Sequence, residues 1–201
     1  MIRREQGEHG FTLVEMLIAL AIFGILTAAG VGLLSFSVTA QDFSDRQLKV
    51  LTSIRRTGAL LTADLAQATP RIWRNEGGQA QPAFVGAAGG QPTLMVLVRS
   101  GRDNPEDQPR SDLQRVEYRF QNARLLRIGF PNVDGGSGGS PTITTLVDEV
   151  SQVRLRYRDR RGAWLDAWTS DEPGDLPAAV ELTVATARFG PTRQLFLVGS
   201  G

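Results

Sequence analysis

An apolar run at residues 11–34, set directly after a short polar leader, limits what this chain can become. The run carries one charge, Glu15, and none from Met16 to Leu34. As a helix rising about 1.5 Å per residue it spans about 36 Å, enough to cross a bilayer core. Arg3 and Arg4 lie on its amino side, and lysine and arginine dominate membrane orientation, so the leader is expected in the cytoplasm and the remainder outside. A cleavable secretory signal is the rival reading, with Val38-Thr39-Ala40 before Gln41 as the small residues a signal peptidase needs. Such signals have an apolar stretch of about 7 to 15 residues. This one is longer and holds a carboxylate near its start, which favours a retained anchor.

With 201 residues, there is room for one ordinary core and an appendage. At 41% hydrophobic and 21% charged residues the chain is too apolar for disorder, and its 22 Gly and 10 Pro predict many turns. A net charge of +1 removes any global field for nucleic acid or acidic polymers. Cysteine is absent and His9 is the only histidine, so disulfides, thiol chemistry and zinc sites built from Cys or His are excluded.

Beyond the apolar run, Leu51, Ile54, Gly58, Leu61, Leu65 and Ala68 recur at spacings of three and four, the mark of an amphipathic helix. Thr69-Pro70 ends it, which predicts a helix over residues 12–68, roughly 85 Å long. The period then changes to two. Residues 94–98 suit a buried strand; Val116, Tyr118 and Phe120 alternate with Arg115, Glu117 and Arg119; and Gln121-Asn122-Ala123 turns into residues 124–130. Val153, Leu155 and Tyr157 repeat the alternation, Asp159-Arg160-Arg161-Gly162 turns into residues 163–168, and residues 180–184 and 195–198 complete the strands. Helix first and strands afterwards predicts an α+β fold, a long N-terminal helix packed on antiparallel sheet. Residues 86–92, 101–112, 132–141 and 169–177 read as polar, flexible connections.

Glu15 is the most informative single residue, because a carboxylate is expensive in hydrocarbon. One account places it near the helix start, where headgroups and the helix dipole assist it. A second pairs it with a cation in a helical assembly, such as a free amine at Phe11 of a neighbouring copy, which requires a cut after Gly10. Gly24, Ala28 and Gly32 form a small-residue stripe that would let another helix approach, although such residues are common in any membrane helix.

The stretch Gly10-Phe11-Thr12-Leu13-Val14-Glu15-Met16-Leu17-Ile18-Ala19-Leu20 resembles the type IV prepilin signature. That resemblance implies cleavage after Gly10 by prepilin peptidase, N-methylation of Phe11 and an assembly role for Glu15. It also implies four regions: a leader at 1–10, a transmembrane half-helix at 11–34, an amphipathic periplasmic half at 35–69 and a β-rich periplasmic domain at 70–201. The helix end Ala63-Asp64-Leu65-Ala66-Gln67-Ala68-Thr69-Pro70-Arg71 is similar to that of the minor pseudopilin J family of type II secretion systems. The same holds for residues 153–164, Trp168, residues 176–182 and residues 193–197. This second resemblance implies an inner-membrane subunit of a pseudopilus tip complex, with minor pseudopilins of the I and K types as partners. It further implies engagement of the outer-membrane secretin or of cargo.

Three features invite chemistry. Asp103, Asn104, Glu106 and Asp107, or Asp171, Glu172 and Asp175, offer oxygen ligands for calcium, as some relatives do, but neither has the regular loop spacing, and solvated acidic turns are the expectation. Arg154, Arg156 and Arg158 share a strand face with Arg160 and Arg161 beyond; a water-facing strand is favoured over nucleic-acid binding. Trp73, Trp164 and Trp168 read as core or interface anchors rather than substrate platforms, Trp164 and Trp168 as core or rim. No catalytic constellation, cofactor or metal site is expected. The alternatives are a minor pilin of a type IV pilus or DNA-uptake filament, and an anchored extracytoplasmic enzyme.

Overall fold

The computed structural model describes residues 11–101, 111–135, 139–187 and 189–199. Two compact units are present, Met1–Leu48 and Lys49–Gly201. Helix α1 (Leu13–Ala66) supplies the described part of the first and opens the second. It begins one residue later and ends two residues earlier than the hydrophobic pattern predicts.

In the first unit, α1 is apolar on all sides and none of its most hydrophobic window, mean hydropathy 2.5, is buried. By length and composition it can cross a membrane. Two of its hydroxyls close on the helix itself: Thr27 donates to the Phe23 carbonyl at 2.8 Å and Thr39 to that of Ser35 at 2.9 Å. The bond at Thr27, inside the apolar run, satisfies a hydroxyl that lipid could not.

In the second unit, Ile54, Thr57, Leu61, Asp64 and Leu65 form the buried stripe of α1, and Ala68, just past its end, is buried in line with them. Leu51, expected on that stripe, is 41% exposed, while its neighbour Val50 packs against the edge of the core and full burial begins at Ile54. Leu61 and Leu65 are 1% and 0% exposed, and full burial of each stabilises the fold by about 1.5–3 kcal/mol. The carbonyls at the helix end find partners in both sheets that follow. Ser100 N donates to Gln67 O and Gly199 N to Leu65 O, both at 2.9 Å, while Thr69 N donates to Val98 O.

The strands are β1 (Trp73–Arg74), β2 (Ala80–Gln81), β3 (Phe84–Gly86), β4 (Thr93–Arg99), β5 (Gln114–Gln121), β6 (Arg124–Gly129), β7 (Thr142–Val147), β8 (Val150–Arg158), β9 (Trp164–Leu165), β10 (Ala179–Thr186) and β11 (Thr192–Leu197). They build a five-stranded sheet in the order β3-β4-β5-β6-β7, a four-stranded sheet in the order β11-β10-β8-β9, and the β1-β2 ribbon. Every pairing is antiparallel, as the α+β expectation requires. One apolar cluster joins the helix stripe to both sheets through Tyr118, Leu125, Val147, Leu155, Tyr157, Val180 and Phe196, among others.

The turn expected after Gln121 is a two-residue hairpin: Gln121 pairs with Arg124, and Asn122 and Ala123 have φ of 52° and 56°. Both angles suit the mirror-image turn that matches strand twist, and Asn adopts them more readily than Ala does. Two of the stretches read as connections are more structured than expected. Gly86 is a strand residue facing the core, and Val133 is buried.

Tyr118 and Tyr157 are the only tyrosines in the chain, and both are buried. Tyr118 donates to Asp64 Oδ2 at 2.6 Å and Tyr157 to Leu94 O at 3.0 Å. Burial raises both phenol pKa values, and the Asp64 charge adds to the effect at Tyr118. A raised folded-state value means the neutral form stabilises the fold below the unfolded pKa of about 10, and this contribution is lost as pH climbs beyond it. Alkaline titration is therefore expected to show tyrosinate absorbance rising only together with loss of near-UV circular dichroism. Tyrosinate forming in a folded chain would contradict this placement.

Candidate functional site

Thr12 and Glu15 form a capping box at the head of α1. Glu15 Oε2 accepts from Thr12 N at 2.9 Å and from Thr12 Oγ1 at 2.8 Å, and Glu15 N donates to Thr12 Oγ1 at 3.3 Å. The carboxylate thus satisfies an orphan donor and meets the positive end of the helix dipole. Phe11, one residue before this turn, is 85% exposed. Glu15 stands four residues after Phe11, in the first turn of α1. Gly10 lies outside the described residues. Along the same helix Gly24 and Gly32 have nothing within 4 Å of where a Cβ would sit, so the stripe with Ala28 is open.

The residue that sequence reasoning passed over is Asp64. It sits on the buried stripe between Leu61 and Leu65, fully inaccessible, and four donors converge on it. Arg127, on β6, is bidentate, with Nε to Oδ2 at 2.7 Å and Nη2 to Oδ1 at 2.9 Å. Arg99, on β4, gives Nη1 to Oδ1 at 2.6 Å, and Tyr118, on β5, gives its hydroxyl to Oδ2. Burial opposes the Arg127 charge, yet the Asp64 hydrogen bonds and charge hold its pKa above the ordinary value. Arg99 continues to Gln67 and to the carbonyls of Ser100 and Gly101 at 3.0 Å. The helix is thereby keyed to three adjacent strands by directional bonds. The signal was a carboxylate at a position the 3.6-residue period assigns to the core.

On the outer face of the four-stranded sheet, Arg154, Arg156 and Arg158 share one side of β8, as their alternation predicts. They are partly neutralised. Arg154 Nη2 meets Asp166 Oδ1 at 2.8 Å, and this hydrogen bond and charge hold the Asp166 carboxyl below its usual range. Arg156 lies 4.0 Å from Glu181 and over the Trp164 ring. Trp164 is therefore a rim residue, and Trp168, 5% exposed, belongs to the core. Trp73 and Phe130 sandwich the Arg115 guanidinium at 4.3 and 3.9 Å, an arrangement the strand alternation did not suggest. Among the described residues no group of three or more His, Cys, Asp or Glu is placed to hold a metal ion. Asp171, Glu172 and Asp175 occupy a turn in which Asp175 N donates to Glu172 O. Asp103, Asn104, Glu106 and Asp107 lie outside the described residues.

A capped apolar helix that passes into an amphipathic half, carrying antiparallel sheet on its buried stripe, defines a pilin-like subunit. The family profile described as type II secretion system (T2SS), protein J, matches residues 32–198, and that of the prokaryotic N-terminal methylation motif matches residues 6–31. The chain belongs to the type II secretion system protein J family, and is a minor pseudopilin. It is 33% identical to type II secretion system protein J of Klebsiella pneumoniae over 100% of this chain and 98% of that one. The Escherichia coli protein of the same name is also 33% identical, over 94% and 95%. A chain of the GspK-GspI-GspJ complex from the enterotoxigenic Escherichia coli type 2 secretion system shares the fold with a TM-score of 0.66 and 31% identity, over 75% of this chain and 98% of that one.

Proposed function

We propose that this minor pseudopilin is cut between Gly10 and Phe11, is methylated at the new amino terminus, and uses Glu15 to join a pseudopilus tip complex with minor pseudopilins of the I and K types. Before extraction, the helix of residues 11–34 rests in the inner membrane, leader in the cytoplasm and domain in the periplasm. Once assembled, the subunit helps to prime the periplasmic filament that supports export across the outer membrane. It is a substrate of prepilin peptidase and a structural part, with no catalysis of its own.

The observation that carries this reading is the placement of Glu15 one turn from Phe11 at the head of an exposed apolar helix. In the precursor, the amide and hydroxyl of Thr12 satisfy the carboxylate. After cleavage, the Phe11 amine of a neighbouring copy becomes a stronger partner, and a charge that is costly in lipid sets the register between helices. The match to the methylation motif over residues 6–31 supports the processing step, and the solved GspK-GspI-GspJ complex of a relative supports the choice of partners.

Mass spectrometry of the mature amino terminus tests processing directly. A chain beginning at methylated Phe11 is expected; one beginning at Gln41, or one working with residues 1–10 attached, would overturn the reading. Glu15→Ala should lose most of its recovery in the sheared pseudopilus fraction while the thermal transition of the Lys49–Gly201 unit stays unchanged. Normal incorporation of that variant would remove Glu15 from the assembly step.

A further inference from the structure

Strand β11 is an open edge of the four-stranded sheet. Val198 N donates to Ala178 O at 3.2 Å, which sets the phase of the ladder with β10. Even-numbered residues of β11 therefore turn their N–H and C=O groups toward β10. Arg193, Leu195 and Leu197 turn theirs toward the open side, where no hydrogen bond reaches them among the described residues.

The same three side chains stand on the outer face. Leu195 aligns with Glu181 and Arg156, and Leu197 with Ala179 and Arg158, while Phe196, Val180 and Tyr157 fill the core. Leu195 and Leu197 are 59% and 76% exposed. Edge strands are ordinarily shielded by being short or by carrying charge. The opposite edge of this sheet, β9, has two residues, and β3 of the larger sheet has three. The other long edge, β7, presents a single exposed large aliphatic, Ile143, among threonines. Only β11 combines length, unused backbone groups and two adjacent exposed leucines.

The face behind this edge selects the partner. It carries Arg154, Arg156, Arg158 and Arg193 against Asp166 and Glu181, four cations to two anions. An arriving segment with carboxylates is attracted, and one with lysines is repelled.

We propose that β11 is a strand-addition site that receives an extended, acidic segment of a neighbouring pseudopilin of another type. The incoming backbone bonds to Arg193, Leu195 and Leu197, its apolar side chains cover the two leucines, and its carboxylate meets the arginine rows. This rests on the reading of the chain as part of a multi-subunit tip complex.

The test uses the full chain in detergent, alone and co-produced with minor pseudopilins of the I and K types. Amide exchange at residues 193, 195 and 197 is expected to slow about tenfold or more in the complex. Leu195→Pro removes an outward N–H and spares the β10 ladder, so it should fold with a wild-type melting temperature yet co-purify at least about tenfold less. Leu197→Glu should do the same by repelling the incoming carboxylate, whereas Leu195→Thr, which keeps the N–H, should retain most of the binding. A wild-type complex with unchanged exchange at these amides overturns the proposal and leaves the tip-complex reading intact. So does normal assembly of Leu197→Glu. Protection that grows with concentration of the chain alone makes a second copy the occupant and overturns the choice of a different pseudopilin. No complex at all with I and K types sinks the functional reading, and this inference with it.

Discussion

Replacing Asp64 with alanine is expected to destabilise the Lys49–Gly201 unit by about 3–5 kcal/mol, the range for removing one partner of a buried ion pair. The reason is what remains. Arg99 and Arg127 are 13% and 14% exposed and would keep two charges in the interior without their carboxylate, and Tyr118 would lose its acceptor. A folded domain typically holds only about 5–15 kcal/mol, so this one change removes a large share of the total. Asp64→Asn keeps the shape and one carbonyl acceptor, and should cost less. Replacing Asp64, Arg99 and Arg127 together with apolar residues of similar volume should recover much of the loss, because no unpaired charge is left behind. Urea denaturation followed by tryptophan fluorescence measures all of these, since Trp73, Trp164 and Trp168 lie in this unit. A shift below about 1 kcal/mol for Asp64→Ala would mean the cluster is solvated in the working protein.

Asp64 also shows where a sequence reading stops. Its stripe on α1 follows from local periodicity, but the donors that make a buried carboxylate tolerable come from β4, β5 and β6, 35 to 63 positions away. Pairing over such distances is set by sheet register, which composition does not encode. The capped helix start was legible because its features are close together in the chain: Thr12 and Glu15 are three residues apart, and the apolar run needs no tertiary partner to be recognised. The β5-β6 hairpin was legible for the same reason, through Asn122 at the turn. Strand β7 was not, since Thr-Ile-Thr-Thr alternates too weakly in hydrophobicity, and the two-residue strands β1 and β2 have no period at all. The open edge at β11 required knowing both the order of strands and the phase of the ladder.

Gly86→Ala is expected to be nearly as damaging, although glycine at the start of a polar stretch reads as a dispensable turn. Gly86 has no left-handed φ; what it supplies is space. A Cβ there would lie 2.3 Å from Tyr157 Cζ and within 2.7 Å of both Cε atoms. That ring cannot yield, being fully buried, edge-on to Phe84 at 5.9 Å between centroids, and tied by its hydroxyl to Leu94 O. The Gly86 backbone is equally fixed, pairing with Met95 and exchanging two hydrogen bonds with Trp168, at 3.0 and 2.8 Å. With both sides held, one added methyl should cost about 3 kcal/mol or somewhat more, the upper end of overpacking. The contact, not the glycine alone, is the cause, so Tyr157→Leu should partly absorb the insertion. The double variant is then expected to fall short of the sum of the single costs by about 1–3 kcal/mol. Strict additivity in the same urea titrations would show that Gly86 matters for a reason other than the ring it faces.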